Sequence, residues 1–163
     1  MLTIRKAVQK DLAAITDIYN QAILNTTATF DTNTKTVDEQ KPWFDKHGAK
    51  YPILVALENK EIVGWASMSA WSDRCAYADT AEISLYVREG CRGKGVGRKL
   101  SGAILKAGRE AGLHTAIARI AGGNDISILL AESLGFKHIG VMKEVGKKFG
   151  KLLDVYMMQI IFD

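Results

Sequence analysis

The stretch Cys91-Arg92-Gly93-Lys94-Gly95-Val96-Gly97-Arg98-Lys99-Leu100 constrains the chain most, because it joins a strand pattern to a helix pattern through a glycine-rich, cationic turn. Upstream, Ala81, Ile83, Leu85 and Val87 alternate with Glu82, Ser84 and Tyr86, the period-two signature of a strand. Downstream, Val96, Leu100, Ala103, Ile104, Ala107 and Ala111 recur at helical spacing until Gly112 closes the run. A helix exposes unpaired N–H groups where this turn sits, and glycine at 93, 95 and 97 removes the Cβ atoms that would hold a ligand away from them. Lys94, Arg98 and Lys99 lie at the positive end of the helix dipole, unfavourable by a few tenths of a kcal/mol each. A phosphorylated ligand would reverse that sign, so the turn reads as a phosphate site. A glycine-softened turn with a solvated basic face is the plainer alternative.

Spacing excludes two glycine loops. A P-loop requires Gly-Lys-Ser/Thr at the helix start, whereas Gly95 is followed by Val96 and Gly97. The dinucleotide fingerprint would place its third glycine at Arg98, and the chain is too short for two mononucleotide halves and a substrate domain.

The pattern Arg-x-x-Gly-x-Gly, read as Arg92, Gly95 and Gly97, resembles the acetyl-CoA loop of the GNAT N-acetyltransferase family. Leu2-Thr3-Ile4-Arg5-Lys6-Ala7 with Asp11 and the Ile15/Ile18/Tyr19 helix looks like that family's first strand and helix. Asn124 and Ser127, leading to Leu134-Gly135-Phe136, match its later helix and the following strand. Within the family, Ile18-Tyr19-Asn20, Asn25-Thr26-Thr27-Ala28, Trp43-Phe44, Tyr51-Pro52-Ile53-Leu54-Val55-Ala56 and Lys148-Phe149-Gly150-Lys151-Leu152-Leu153-Asp154 resemble the phosphinothricin and methionine sulfone/sulfoximine branch. The resemblance covers essentially the whole chain.

It implies a single N-acetyltransferase domain over residues 1–163, of α/β class, with a mixed sheet of about seven strands flanked by about four helices. The residues read the same way. Strand 2–8 leads to helix 10–24; Thr36 and Glu39 form a capping box opening a helix that ends near His47-Gly48. Residues 51–57 and 61–71 form a hairpin around Glu58-Asn59-Lys60. Strand 80–87, helix 95–111, strand 114–121, helix 125–134 and strands near 136–144 and 152–161 follow. At 163 residues and 47% hydrophobic, the chain has the apolar mass for one core.

Composition narrows the partners. A net charge of +4, interspersed apart from residues 92–99 and Lys147-Lys148, argues against a nucleic-acid face. Cys75 and Cys91 form neither a disulfide framework nor a C-x-x-C pair, which points to a reduced cytoplasmic setting. No signal peptide is visible and no apolar run approaches the ~20 residues of a membrane span, so the expectation is a protein without membrane partners. His47, His114 and His138 share no ligand spacing and no metal is expected.

The reaction so implied needs an amine stripped of its proton and a stabilised thioester oxyanion. Glu82 matches the branch's base, with partial burial to tune it; a solvated carboxylate on a half-exposed strand is the alternative. The resemblance implies that Leu85, Tyr86 and Val87 offer main chain to the pantetheine arm and that Arg92, Gly93, Lys94, Gly95, Val96, Gly97 and Arg98 hold the phosphates. Asn124 caps a helix, approaches the cofactor arm with Ser127, or does both. Where relatives carry tyrosine or histidine as acid, this chain has Ala131, so water or Tyr156 would protonate the thiolate. The branch's carboxylate-binding arginine, four residues before the glutamate, is Ala78 here, and Arg74 is the nearest replacement. Phe30, Trp71 and Tyr77 form an apolar wall or belong to the core, and residues 145–150, with Phe149, close the pocket from this subunit or from a partner in a homodimer. The expected acceptor is a small amino-acid-like amine, the alternatives a peptide N-terminus or polyamine, or a non-catalytic acyl-CoA sensor.

Overall fold

The computed structural model describes residues 1–163. Its seven strands are β1 (Leu2–Lys6), β2 (Ile53–Glu58), β3 (Glu61–Ala70), β4 (Thr80–Val87), β5 (Thr115–Ala121), β6 (Lys137–Lys148) and β7 (Lys151–Ile161). Four helices accompany them: α1 (Leu12–Asn25), α2 (Val37–Asp45), α3 (Val96–Glu110) and α4 (Asp125–Ser133). The strands form one sheet in the order β1-β2-β3-β4-β5-β7-β6. Every pairing is antiparallel except β4 with β5. The mixed α/β architecture expected from the sequence is therefore present.

Local chemistry explains the element ends. The β2–β3 turn places Asn59 and Lys60 at φ 51° and 67°, the left-handed pair that suits a right-twisted hairpin. Thr36 Oγ1 accepts the Glu39 amide at 3.1 Å and starts α2. That helix stops at Asp45, short of the expected His47-Gly48, because the His47 ring occupies the Trp43 carbonyl at 2.7 Å. The His47 amide turns instead to Phe44 O at 3.1 Å. Strand β6 runs past its expected end near residue 144: a bulge puts Glu144 at φ 52°, the Asp154 carboxylate accepts its amide at 2.8 Å, and pairing resumes at Gly146.

Each sheet face has its own core. Leu100 and Ile104 of α3 are wholly buried against Leu54, Ala66, Met68, Ala81, Ala116 and Met158. On the opposite face, Ile15 and Ile18 of α1 pack on Ile53, Val55 and Trp65. Truncating a side chain such as Leu100 to alanine costs about 2–5 kcal/mol in such packing, so α3 is held firmly under the sheet. No helix is long and apolar enough to cross a membrane.

Candidate functional site

The parallel pair β4–β5 is short. Thr80, Ala81 and Glu82 pair with Thr115, Ala116 and Ile117, and beyond Glu82 the two strands part. The fork opens a cavity of about 510 Å³ whose walls include Ile83 to Tyr86 of β4, Ala118 to Ala121 of β5, and Asn124, Ser127, Leu130 and Ala131 around α4. On its other side β4 stays paired with β3 through Val87, so the free edge faces the cavity alone. Leu85 and Val87 thus present main chain where an extended ligand can add as a strand, whereas the N–H and C=O of Tyr86, expected to do the same, face its β3 partner Trp65. Their side chains are engaged elsewhere: Leu85 and Val87 face Gly97 of α3, and Tyr86 meets Tyr19 at 5.2 Å and Trp65 at 5.0 Å between ring centres. Burial pushes the Tyr86 and Tyr19 hydroxyls well above the ordinary phenol range.

Past the end of β4, Gly93 and Gly95 adopt φ of 76° and 84°, a conformation that alanine takes only with strain. Gly95 caps α3, whose first turn carries no acidic residue. Arg92, Lys94, Arg98 and Lys99 are exposed and none has a carboxylate partner. Only Arg92 is tethered, its Nε donating to the Val87 carbonyl at 3.3 Å. Val96 differs from its neighbours: its side chain belongs to the core and only its main chain serves the loop. Free amides and uncompensated cations together make an anion site.

At the crotch of the fork, Glu82 is held side-on by Arg119, with Nε to Oε2 at 2.7 Å and Nη2 to Oε1 at 2.6 Å. The guanidinium lies over the Trp71 ring, 5.4 Å from its centre. The Glu82 bond, against the cost of burial, raises Arg119 above its already high ordinary value. The sequence predicts partial burial for Glu82 but does not name Arg119 as its partner. A signal was available: Arg119 is the one charged and exposed position in the otherwise buried strand Thr115–Ala121.

One wall of the cavity comes from this chain's own β6 and the loop after α1. Met142 and Val145 line the cavity, and the Phe30 ring lies where a Cβ on Gly146 would be, 2.3 Å from its edge. Lys148, 5% exposed, donates to the Thr29 carbonyl at 2.8 Å, and burial holds its ammonium below the ordinary lysine range. Phe30 is therefore a wall residue.

Several expected site residues stand elsewhere. Tyr156 pairs with Ile120 and so projects to the sheet face opposite Glu82; its neighbour Val155 lines the cavity. Arg74 and Tyr77 lie on an exposed 3₁₀ turn outside the cavity, because the chain after β3 swings away before β4 begins. Phe149 sits at the β6–β7 turn with φ 52°, exposed, its ring beneath the Lys148 ammonium at 5.2 Å. Trp71 reaches the site only through Arg119. On α4, Asn124 Oδ1 accepts the Ser127 amide at 3.4 Å, which leaves the Asn124 amide group free beside the cavity. Ala131 faces the cavity and can donate no proton. Cys75 and Cys91 are free thiols, and no cluster of His, Cys, Asp or Glu is arranged to hold a metal.

Comparison with known proteins agrees with this geometry. Residues 4–157 match the family model described as an acetyltransferase (GNAT) domain. A methionine sulfoximine/methionine sulfone acetyltransferase of Salmonella typhimurium is 40% identical over 163 residues, covering 99% of this chain and 95% of the relative. A phosphinothricin N-acetyltransferase of Streptomyces coelicolor is 38% identical, covering 93% and 91%. Among solved structures, a phosphinothricin acetyltransferase of Sinorhizobium meliloti in complex with acetyl-CoA superposes with a TM-score of 0.95 at 36% identity, covering 99% of this chain and 88% of that one.

Proposed function

The chain belongs to the GNAT acetyltransferase family and is an acetyl-CoA-dependent N-acetyltransferase, and from that premise we propose that its acceptor is the amine of a small amino-acid-like molecule of the methionine sulfoximine, methionine sulfone or phosphinothricin type. The fork between β4 and β5 carries the reading: one cavity joins a free strand edge to a carboxylate, and an anion-binding turn follows the end of that same strand. In this proposal residues 1–163 act as one catalytic domain.

Acetyl-CoA, as the second substrate, supplies a thioester carbonyl open to attack by an uncharged amine. The amides of Val96 to Arg98, with Arg92, Lys94 and Arg98, hold its phosphates, and the free main-chain edges of Leu85 and Val87 align its arm. Glu82 receives the proton leaving the acceptor ammonium, which frees the lone pair that forms the new C–N bond. A main-chain amide of β4 steadies the oxygen that gains charge. As the C–S bond breaks, the thiolate takes its proton from water, since Ala131 offers none and Tyr156 does not line the cavity. A thiolate is a tolerable leaving group near neutral pH.

We place the enzyme in the cytoplasm as a homodimer. Two free cysteines suit a reducing compartment, and Ile139, Val141, Phe149 and Leu152 are apolar side chains left exposed on β6, β7 and the turn between them, which a second copy would cover. Phe149 would then serve at that interface.

Thiol release from acetyl-CoA against phosphinothricin, methionine sulfone, methionine sulfoximine, free amino acids, polyamines and short peptides tests the reading. Selective turnover of the amino-acid analogues is the expected result. Turnover confined to polyamines or peptides would overturn the acceptor class, and acetyl-CoA binding without any turnover would favour a sensor.

A further inference from the structure

We infer that Arg119 reads the acceptor's carboxylate, so that Glu82 and Arg119 together form a two-charge receptor for the ammonium and carboxylate of an α-amino acid. The inference deepens the proposed function and rests on it. Of all the side chains lining the cavity, only these two are charged. Arg119 spends Nε and Nη2 on Glu82, and Nη1 makes no hydrogen bond. Of its five N–H donors, the outer fork formed by the two terminal nitrogens therefore keeps the geometry that accepts a second carboxylate. Trp71 lies against the flat face of the guanidinium, which fixes its plane while leaving its edge open. The side chain is 49% exposed and Glu82 23%, so both reach the cavity without being sealed by protein.

The two charges are also in the right order. In an α-amino acid the nitrogen and the carboxylate are separated by one carbon, and here a carboxylate and a free guanidinium edge lie side by side. An ammonium drawn to Glu82 brings its own carboxylate to Arg119. Neither partner is then left as an uncompensated charge. A polyamine would instead set a second cation against Arg119, which selects against it.

A structural role is the competing explanation, in which Arg119 only positions Glu82. The test compares the best amino acid from the substrate panel with the amine obtained by removing its carboxylate, using the wild type, Arg119→Gln and Arg119→Lys. Arg119→Gln is expected to lower kcat/KM for the amino acid by about 30- to 300-fold, chiefly through KM, the scale of a lost charge-assisted fork. For the carboxylate-free amine the loss, which reports only the loosened Glu82, should be smaller by at least about 10-fold. Arg119→Lys, which keeps charge but not the fork, should fall between them. Acetyl-CoA affinity, unchanged in both variants, checks that the fold is intact. Equal losses on both substrates, or no loss on the amino acid, would overturn the assignment. A wild type that turns over the carboxylate-free amine as well as the amino acid would instead refute the amino-acid reading itself, before any variant is made.

Discussion

Replacing Gly95 by alanine adds one methyl group, and the structure says what that methyl must cost. Nothing lies within 4 Å of the added Cβ, so no clash contributes. What remains is the left-handed backbone at φ 84°, about 1–2 kcal/mol for a residue with a side chain. If the loop holds its shape, the cost falls on stability, and a domain of this size loses about 2–4 °C of Tm per kcal/mol. If the loop relaxes, the amides of Val96 to Arg98 leave their alignment and the cost falls on acetyl-CoA affinity, about 5- to 30-fold. Gly102 supplies the control. It lies inside the same helix with ordinary φ and open space, so Gly102→Ala should gain about 0.8–1 kcal/mol of helix propensity and raise Tm. Thermal melts without ligand and calorimetric titration with acetyl-CoA measure both quantities. A Gly95→Ala protein that melts as high and binds as tightly as wild type would refute the loop geometry.

Two further substitutions probe the surroundings. Gly146→Ala puts a Cβ about where the Phe30 ring edge lies, 2.3 Å away, and should lower stability by about 1–3 kcal/mol and raise the acceptor KM; adding Phe30→Ala should restore most of the stability, and additive losses in denaturant melts would contradict the contact. His47 is held below its ordinary range by burial, which outweighs the Trp43 carbonyl that favours the charged ring. The unfolded chain therefore binds the extra proton first, so stability present above about pH 6.5 is lost as pH falls below it. His47→Gln should flatten that slope between pH 5.5 and 7.5, and an unchanged slope would remove His47 as its source.

The fold was legible where a pattern repeats along the chain. Alternation at residues 81–87 and the glycines that follow gave β4, the turn and α3 with bounds close to those found. The Glu82 face was readable by parity alone. Contacts that join distant strands left no such trace. The Arg119–Glu82 pair spans 37 positions, and its geometry depends on how far β4 and β5 pair before parting, which no periodicity records. Tyr156 shows how narrow the margin is in a strand. One position of register separates it from Val155, and that step carries a side chain to the other face of the sheet. Arg74 is near Glu82 in sequence, but the 3₁₀ turn Cys75–Tyr77 intervenes and leaves it outside the cavity. The end of α2 differs from expectation because the His47 ring takes a backbone partner, and α1 starts at Leu12 rather than at residue 10 because Gln9–Asp11 form a 3₁₀ turn.

The central claim is that acetyl transfer occurs at the fork with Glu82 taking the acceptor's proton. The most direct measurement is the pH dependence of kcat/KM for wild type and Glu82→Gln, by thiol release with the best amino acid, alongside acetyl-CoA affinity. The account predicts a fall of about 10²- to 10⁴-fold near neutrality, recovery as pH approaches the amine's own pKa, and unaltered acetyl-CoA binding. Full activity of the variant with the wild-type pH profile would contradict it.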